Sequence, residues 1–480
     1  MAFSSHIFVF YFLPLFLLLY YLLPSKSNLP RNVLLLVAGY AFYAWASPWF
    51  VVVLVGSTVV TYVLSKLAVS AANRKAQTAL LVIAIAANLG VLSMFKYYSF
   101  IQSNLNCLLK IAGDSTGLPV LAIALPVGLS FYSFKAISYS IDVYRGSSPP
   151  ARSLLDLALY TSFFPQVMAG PIQRFGTIDP KSQQAPTFAE QLGSRRCTLN
   201  KFAQGSALFI AGFAKKVLLA DTLAGLADAV FAAGSPGASD AWFGAVAYSF
   251  QLYFDFSGYS EMAVGLGLML GFECPRNFDA PYLARSITDF WRRWHISLSS
   301  WFRDYLYIPM GGNRKSSART YLNLAVVFLL CGLWHGANWT FIVWGAYHGL
   351  LLIIERASGR RTIYNALPRP IQVFVTFGLL MVGWVFFRSA NLGDACRLLG
   401  TMFGASAAQG GSVLLAGEIY TRGSLIAVAV CALLVFQPVQ AFDWSRRLTY
   451  LKVLILIALF WLSVTVMFTK SFDSFLYFQF

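Results

Sequence analysis

Four histidines occur in the 480 residues, and two of them stand where an imidazole could do proton chemistry. One lies in Cys331-Gly332-Leu333-Trp334-His335-Gly336-Ala337-Asn338-Trp339. The apolar run before it starts after Arg319, so His335 sits about 24 Å along a helix from the nearest charge. That depth places the ring inside a membrane. Gly336 and Asn338 directly after it predict a break in the helix. Polar groups and broken backbone at such depth are costly and point to function. Burial favours the neutral imidazole, the form a general base needs. The alternative is a histidine that hydrogen-bonds a neighbouring helix. His348, thirteen residues on along the next apolar run, reads as a packing or supporting residue, and His6 is uninformative.

The other histidine, His295, lies in the most polar part of the chain, residues 272–319. At 100° per residue, Ile287, Trp291, Trp294, Leu298, Trp301 and Tyr305 share one face, which predicts an amphipathic helix over 283–308. Arg285, Arg292 and Arg303 align on the opposite side, and His295 falls at the seam beside Ser299 and Phe302. Aligned guanidinium groups beside an aromatic stripe suit an anionic partner. Lipid phosphates at the headgroup level and a nucleotide cofactor such as coenzyme A both satisfy this pattern, and periodicity alone leaves both open.

The elements that must carry these residues are membrane spans. The chain is 58% hydrophobic and 11% charged, with a mean hydropathy of +0.64, where a soluble domain carries about 25% charged residues. Apolar runs recur at 7–23, 33–47, 49–65, 78–95, 118–140, 203–220, 241–270, 320–334, 337–354, 370–387, 424–440 and 451–468. Several are too short to cross a bilayer without tilt or thinning. Residues 159–175 are apolar but interrupted by Pro165 and Pro171, which predicts a re-entrant segment. No long polar stretch separates the runs, so a single membrane domain over 1–480 is expected.

The net charge of +17 gathers in short clusters between the runs: Lys66, Arg74 and Lys75; Arg195, Arg196 and Lys201; Arg314, Lys315 and Arg319; Arg356, Arg360 and Arg361; Arg446 and Arg447. This is the positive-inside pattern, directed at membrane lipids and not at nucleic acid. It puts both termini outside. Residues 7–23 lack the basic flank and cleavage site of a signal peptide and read as a retained span. The six cysteines form no C-x-x-C pair, so no zinc site or other metal centre is expected and the thiols read as buried.

Asp255 and Glu261 fall within an apolar stretch and must be paired or wet. Gly267 and Gly271 have the small-xxx-small spacing of packed membrane helices. There is no G-x-S-x-G elbow and no phosphate-binding loop.

Taken together, Phe290-Trp291-Arg292-Arg293-Trp294-His295-Ile296-Ser297-Leu298-Ser299 and Trp334-His335-Gly336-Ala337-Asn338 resemble the membrane-bound O-acyltransferase (MBOAT) family, in particular its alginate O-acetylation branch. Tyr253-Phe254-Asp255-Phe256-Ser257-Gly258-Tyr259-Ser260 and Ala169-Gly170-Pro171 match as well. The resemblance implies an all-α polytopic membrane protein, a ring of transmembrane helices around a thinned centre with cytoplasmic and outer funnels. It implies acetyl transfer from acetyl-CoA across the bacterial inner membrane to an exopolysaccharide such as alginate or cellulose. No permanently bound cofactor is implied. The implied partners are a secreted or membrane-anchored polysaccharide O-acetyltransferase and the polysaccharide synthesis machinery. His335 takes the place of the family's catalytic histidine and His295 that of its second signature histidine. On this reading Arg285, Arg292 and Arg303 hold the donor, His335 is the base, and His295 or a local amide stabilises the oxyanion.

The last residues, 471–480, end in Phe475-Leu476-Tyr477-Phe478-Gln479-Phe480. They read either as an aromatic tail in the headgroup belt or, by resemblance to terminal Phe-x-Tyr motifs of envelope-acylation systems, as a functional tail with Tyr477 as acyl relay. The rivals are a polysaccharide transporter or flippase, the same chemistry directed to peptidoglycan, teichoic acid or a lipid, and a non-catalytic docking subunit.

Overall fold

A computed structural model describes residues 1–24, 27–113, 117–119, 121, 123–176, 186–234, 236–359, 366–405 and 413–469. The described residues are helical with no strand. Five helices are long and apolar enough to cross a bilayer: Pro48–Ser70, Arg74–Ile111, Ser317–His335, Arg369–Arg388 and Tyr450–Thr469. Two shorter apolar helices are Phe8–Leu22 and Arg422–Val435. Large apolar side chains stand exposed along them, Val52, Ile83, Phe374 and Leu454 among them. A surface of this kind belongs against lipid, and the chain is an all-α polytopic membrane protein.

Two expected spans differ in extent. The run 78–95 lies within a 38-residue helix, Arg74–Ile111, capped by the Asn73 side chain on Ala76 N. The run 118–140 becomes helical only at Leu129, because Gly128 is left-handed (φ 76°) immediately before it.

Contacts divide the chain into two compact units: residues 1–205 with 266–275, and residues 206–265 with 276–480. In the first, the proline-interrupted segment is a helix, Leu154–Ser162, a turn at Phe163, and the short helix Phe164–Val167. Burial is continuous from Leu157 to Gln173. Its polar side chains are paired, Gln166 accepting from Lys135 (3.2 Å) and donating to Gln173 (3.0 Å). That is the condition for irregular backbone inside a bilayer.

Gly267 and Gly271 do not form a helix-packing face. Gly271 is left-handed (φ 85°), and Phe272 N donates to Gly267 O at 2.8 Å. The pair therefore terminates the Ala238–Met269 helix, because glycine reaches positive φ without a steric penalty.

In the second unit the close glycine approach is instead Gly212 against Gly258, where a Cβ on Gly258 would lie 2.7 Å from Gly212 O. That approach brings the π-helical turn Lys215–Ala220 to the helix bearing the buried acids. Lys216 pairs with Asp255 (2.8 Å) and Asp221 (2.6 Å), and Lys215 with Glu261 (2.6 Å). The carboxylates that had to be paired are paired with two consecutive lysines. The thiols are less uniform than expected: Cys107 and Cys396 are exposed.

Candidate active site

All of the site described below lies in the second unit. The Ser317–His335 helix ends at His335, Gly336 is extended, and Asn338 caps the Trp339–Ala357 helix by accepting from Thr340 N at 3.1 Å. The two helices form a tight hairpin. A Cβ on Gly332 would collide with Phe341 O, one on Gly345 with Phe328 O, and one on Gly336 with the Phe341 ring. The break the sequence predicted is thus present, and the approach of two glycine-bearing faces holds it. Asn338 Nδ2 also donates to Ala390 O (2.8 Å), tying the turn to the end of the Arg369–Arg388 helix.

His335 is 4% exposed. Its ring lies edge-on to Trp344 (5.0 Å), Phe387 (5.2 Å) and Trp334 (4.9 Å). Trp344 also meets His348 at 5.0 Å, and Trp291 closes on His348 at 5.3 Å. Neither ring nitrogen of His348 has a hydrogen-bond partner among the described residues. Aromatic rings surround both imidazoles.

The stretch 283–308 is not one helix. Ile287–Arg293 ends at Trp294, His295 is left-handed (φ 43°, ψ 53°), and Ile296–Phe302 starts a new helix followed by a π-turn, Arg303–Tyr307. Residues 277–279 impose the break: Asp279 N donates to Arg293 O and Ile296 N to Asn277 O, both at 2.9 Å. Trp294, Leu298, Trp301 and Tyr305 are buried as the periodicity predicted. The alignment of arginines is lost, because Arg285 precedes the first helix, Arg292 lies in its last turn and Arg303 begins the π-turn. All three are exposed, and Arg303 pairs with Asp304 at 2.8 Å. The first short helix is anchored by Glu355, whose carboxylate accepts from Ile287 N (2.6 Å), Thr288 N (2.9 Å) and Thr288 Oγ1 (2.7 Å).

His295 is not at a seam but fully buried. It stands against Phe256 (4.7 Å) and shares the Trp334 indole (6.2 Å) with His335. Its Nδ1 is 3.1 Å from Asn277 Oδ1. Burial pushes its pKa down to about 3, so the ring is neutral. The site therefore brings two imidazoles against one indole, in an apolar aromatic enclosure, at two breaks in helical backbone. A neutral imidazole in such an enclosure can accept a proton from a hydroxyl.

The model of the membrane-bound O-acyltransferase family matches residues 147–388, which include both histidines and Asn277. The chain belongs to that family. Relatives agree along most of its length. It is 43% identical to a Pseudomonas putida protein named probable alginate O-acetylase AlgI, with both chains covered completely. It is 48% identical to the Pseudomonas aeruginosa protein of the same name, over 84% of this chain and 75% of that one. It is 37% identical to a Helicobacter pylori peptidoglycan O-acetyltransferase, over 84% of this chain and 80% of that one. This MBOAT protein is an O-acyltransferase of a membrane.

Of the residues the sequence singled out, His335 and His295 come together, while Arg285, Arg292 and Arg303 are spread over three elements. Tyr477 lies outside the described residues. Asn277 and Glu355 are not among them. The amide hides in a loop without periodicity. Glu355, a lone acid at the end of an apolar run, was the one legible signal.

Proposed function

We propose that this O-acyltransferase passes an acetyl group from acetyl-CoA on the cytoplasmic side of the bacterial inner membrane to an exopolysaccharide outside, with alginate the first polymer to test and cellulose the next. The observation that carries this reading is the match to a probable alginate O-acetylase along the whole of both chains. In the transfer, a hydroxyl oxygen attacks the thioester carbon and the C–S bond breaks. The hydroxyl proton passes to an imidazole of the His335–His295 pair and leaves on the thiolate. Arg285, Arg292 and Arg303, exposed and cationic, suit the phosphates of the donor or of lipid.

The basic clusters support a topology with both termini outside. Tyr477, seven residues beyond Lys470, reaches at most ~25 Å extended, enough to carry the acetyl group as a relay toward the membrane centre. A secreted or membrane-anchored O-acetyltransferase then completes the transfer beside the polysaccharide synthesis machinery. A second reading, with peptidoglycan as acceptor, is favoured by the Helicobacter relative.

The test is the O-acetyl content of exported alginate, cellulose and peptidoglycan in cells with and without this chain. Loss from an exopolysaccharide supports the first reading, and loss from peptidoglycan alone supports the second. Unchanged acetate in all three overturns both. Removal of residues 471–480 should abolish transfer with acetyl-CoA binding kept, and normal transfer by that truncation rules out the relay.

A further inference from the structure

The Asn277 side chain is 3% exposed and reaches both sides of the His295 break. Its Oδ1 meets Ser297 N (3.2 Å), Ser297 Oγ (2.9 Å) and His295 Nδ1 (3.1 Å). Its Nδ2 donates to Ser260 Oγ at 3.0 Å. The orientation of this amide follows from chemistry, because a backbone N–H only donates and the atom facing Ser297 N must be the oxygen. An amide oxygen only accepts. The nitrogen of His295 that faces it must therefore carry a proton. A neutral imidazole holds one proton, so Nε2 carries the lone pair.

We infer that Asn277 is the positioning residue of this site, fixing His295 as the Nδ1–H tautomer so that Nε2 is a proton acceptor. The inference rests on the reading that the histidine pair performs the acyl transfer, and it assigns one part within it. His295 cannot donate a hydrogen bond to the oxyanion, the role its sequence position suggested. It offers a lone pair to the incoming hydroxyl. As the new O–C bond forms, that proton moves to Nε2, and as the C–S bond breaks it returns to the departing sulfur. The oxyanion takes its hydrogen bonds from other N–H groups. Asn277 also holds the ring in place, since its backbone carbonyl accepts from Ile296 N and its side chain from Ser297. The left-handed conformation of His295 is thereby supported on the residues that follow it.

The test compares His295→Ala, Asn277→Leu and Asn277→Asp in the full chain. Turnover of acetyl-CoA is read against pH, and polymer O-acetyl content is read in cells at equal membrane abundance. Asn277→Leu keeps the volume and removes the acceptor. It should lower kcat about 100-fold with the KM for acetyl-CoA within about twofold. Asn277→Asp keeps an acceptor on Nδ1–H and should restore most of the rate. Its carboxylate favours the imidazolium, so the acid limb of its pH profile should move to higher pH.

A folded Asn277→Asp that is inactive, or active with the wild-type acid limb, overturns the inference. So does Asn277→Leu at the wild-type rate while His295→Ala is inactive. If His295→Ala itself works normally, the reading beneath the inference is wrong instead. Should Asn277→Leu fail to fold, the rate and acid limb of Asn277→Asp decide alone. The cellular ranking, Leu low and Asp high, holds whatever the donor.

Discussion

The chain interrupts its helices at two histidines, and the interruptions are built by different means. At His335 the cause is local. Gly336 and Asn338 follow the histidine directly, Asn338 caps the next helix, and the ring packs against Trp334, Trp344 and Phe387. At His295 no glycine or proline marks the place. Residues 277–279, far back in the chain, take the backbone hydrogen bonds that would have continued the helix, and Asn277 holds the ring. The first break is set by neighbours in the chain, the second by a segment remote from it. At His295 a hydrogen bond to a group of known polarity fixes both the place of the ring and its tautomer.

Replacing either ring tests whether both breaks serve one reaction. His335→Ala and His295→Ala should each lower acetyl transfer by about 100- to 10,000-fold while the protein still reaches the membrane, as read from polymer acetate at matched abundance. A His335→Ala protein that still acetylates its polymer removes the site from the mechanism.

The local origin of the first break is tested at Gly332. In Gly332→Val the added carbons meet the Phe341 carbonyl, and overpacking of this sort costs about 1–3 kcal/mol. A drop in melting temperature in detergent, with the protein still helical by circular dichroism, is expected. An unchanged melt means the hairpin does not depend on the glycine approach.

Glu355→Gln tests the support of the second break. It weakens charge-assisted hydrogen bonds to Ile287 N and Thr288 N and should cost about 1–3 kcal/mol. The loss should appear as a lower melting temperature and easier proteolysis near residue 287, with the Ser317–His335 helix unaffected.

The last effect appears only on acidification. The native His295 pKa of about 3 lies below the 6.5 of the open chain. Between those values the unfolded chain binds a proton that the folded chain does not. This contribution is whole above pH 6.5 and is lost as pH falls toward 3. His295→Gln should flatten that part of the stability curve in melts run across the window, and a curve identical to wild type would show that the native ring is charged.

The amino-acid sequence by itself determined the membrane character, most of the helices, the break after His335 and the residues buried along 287–305. Each of these follows from what neighbours in the chain do: apolar runs must be covered, glycine and a capping asparagine end helices, and a 3.6-residue period chooses the buried face. Even where the 283–308 helix breaks, Trp294, Leu298, Trp301 and Tyr305 stay buried, because each keeps its apolar surface from water whatever the backbone between them does. Tertiary structure alone decided the break at His295, the partners of Asp255 and Glu261, the scattering of Arg285, Arg292 and Arg303, and the tautomer of His295. These depend on hydrogen bonds and ion pairs between residues remote in sequence, such as Lys216 with Asp255 and Asn277 with His295. Local propensity and periodicity carry no information about such pairs, because a polar group buried in an apolar surrounding is satisfied by whichever partner the fold brings within reach.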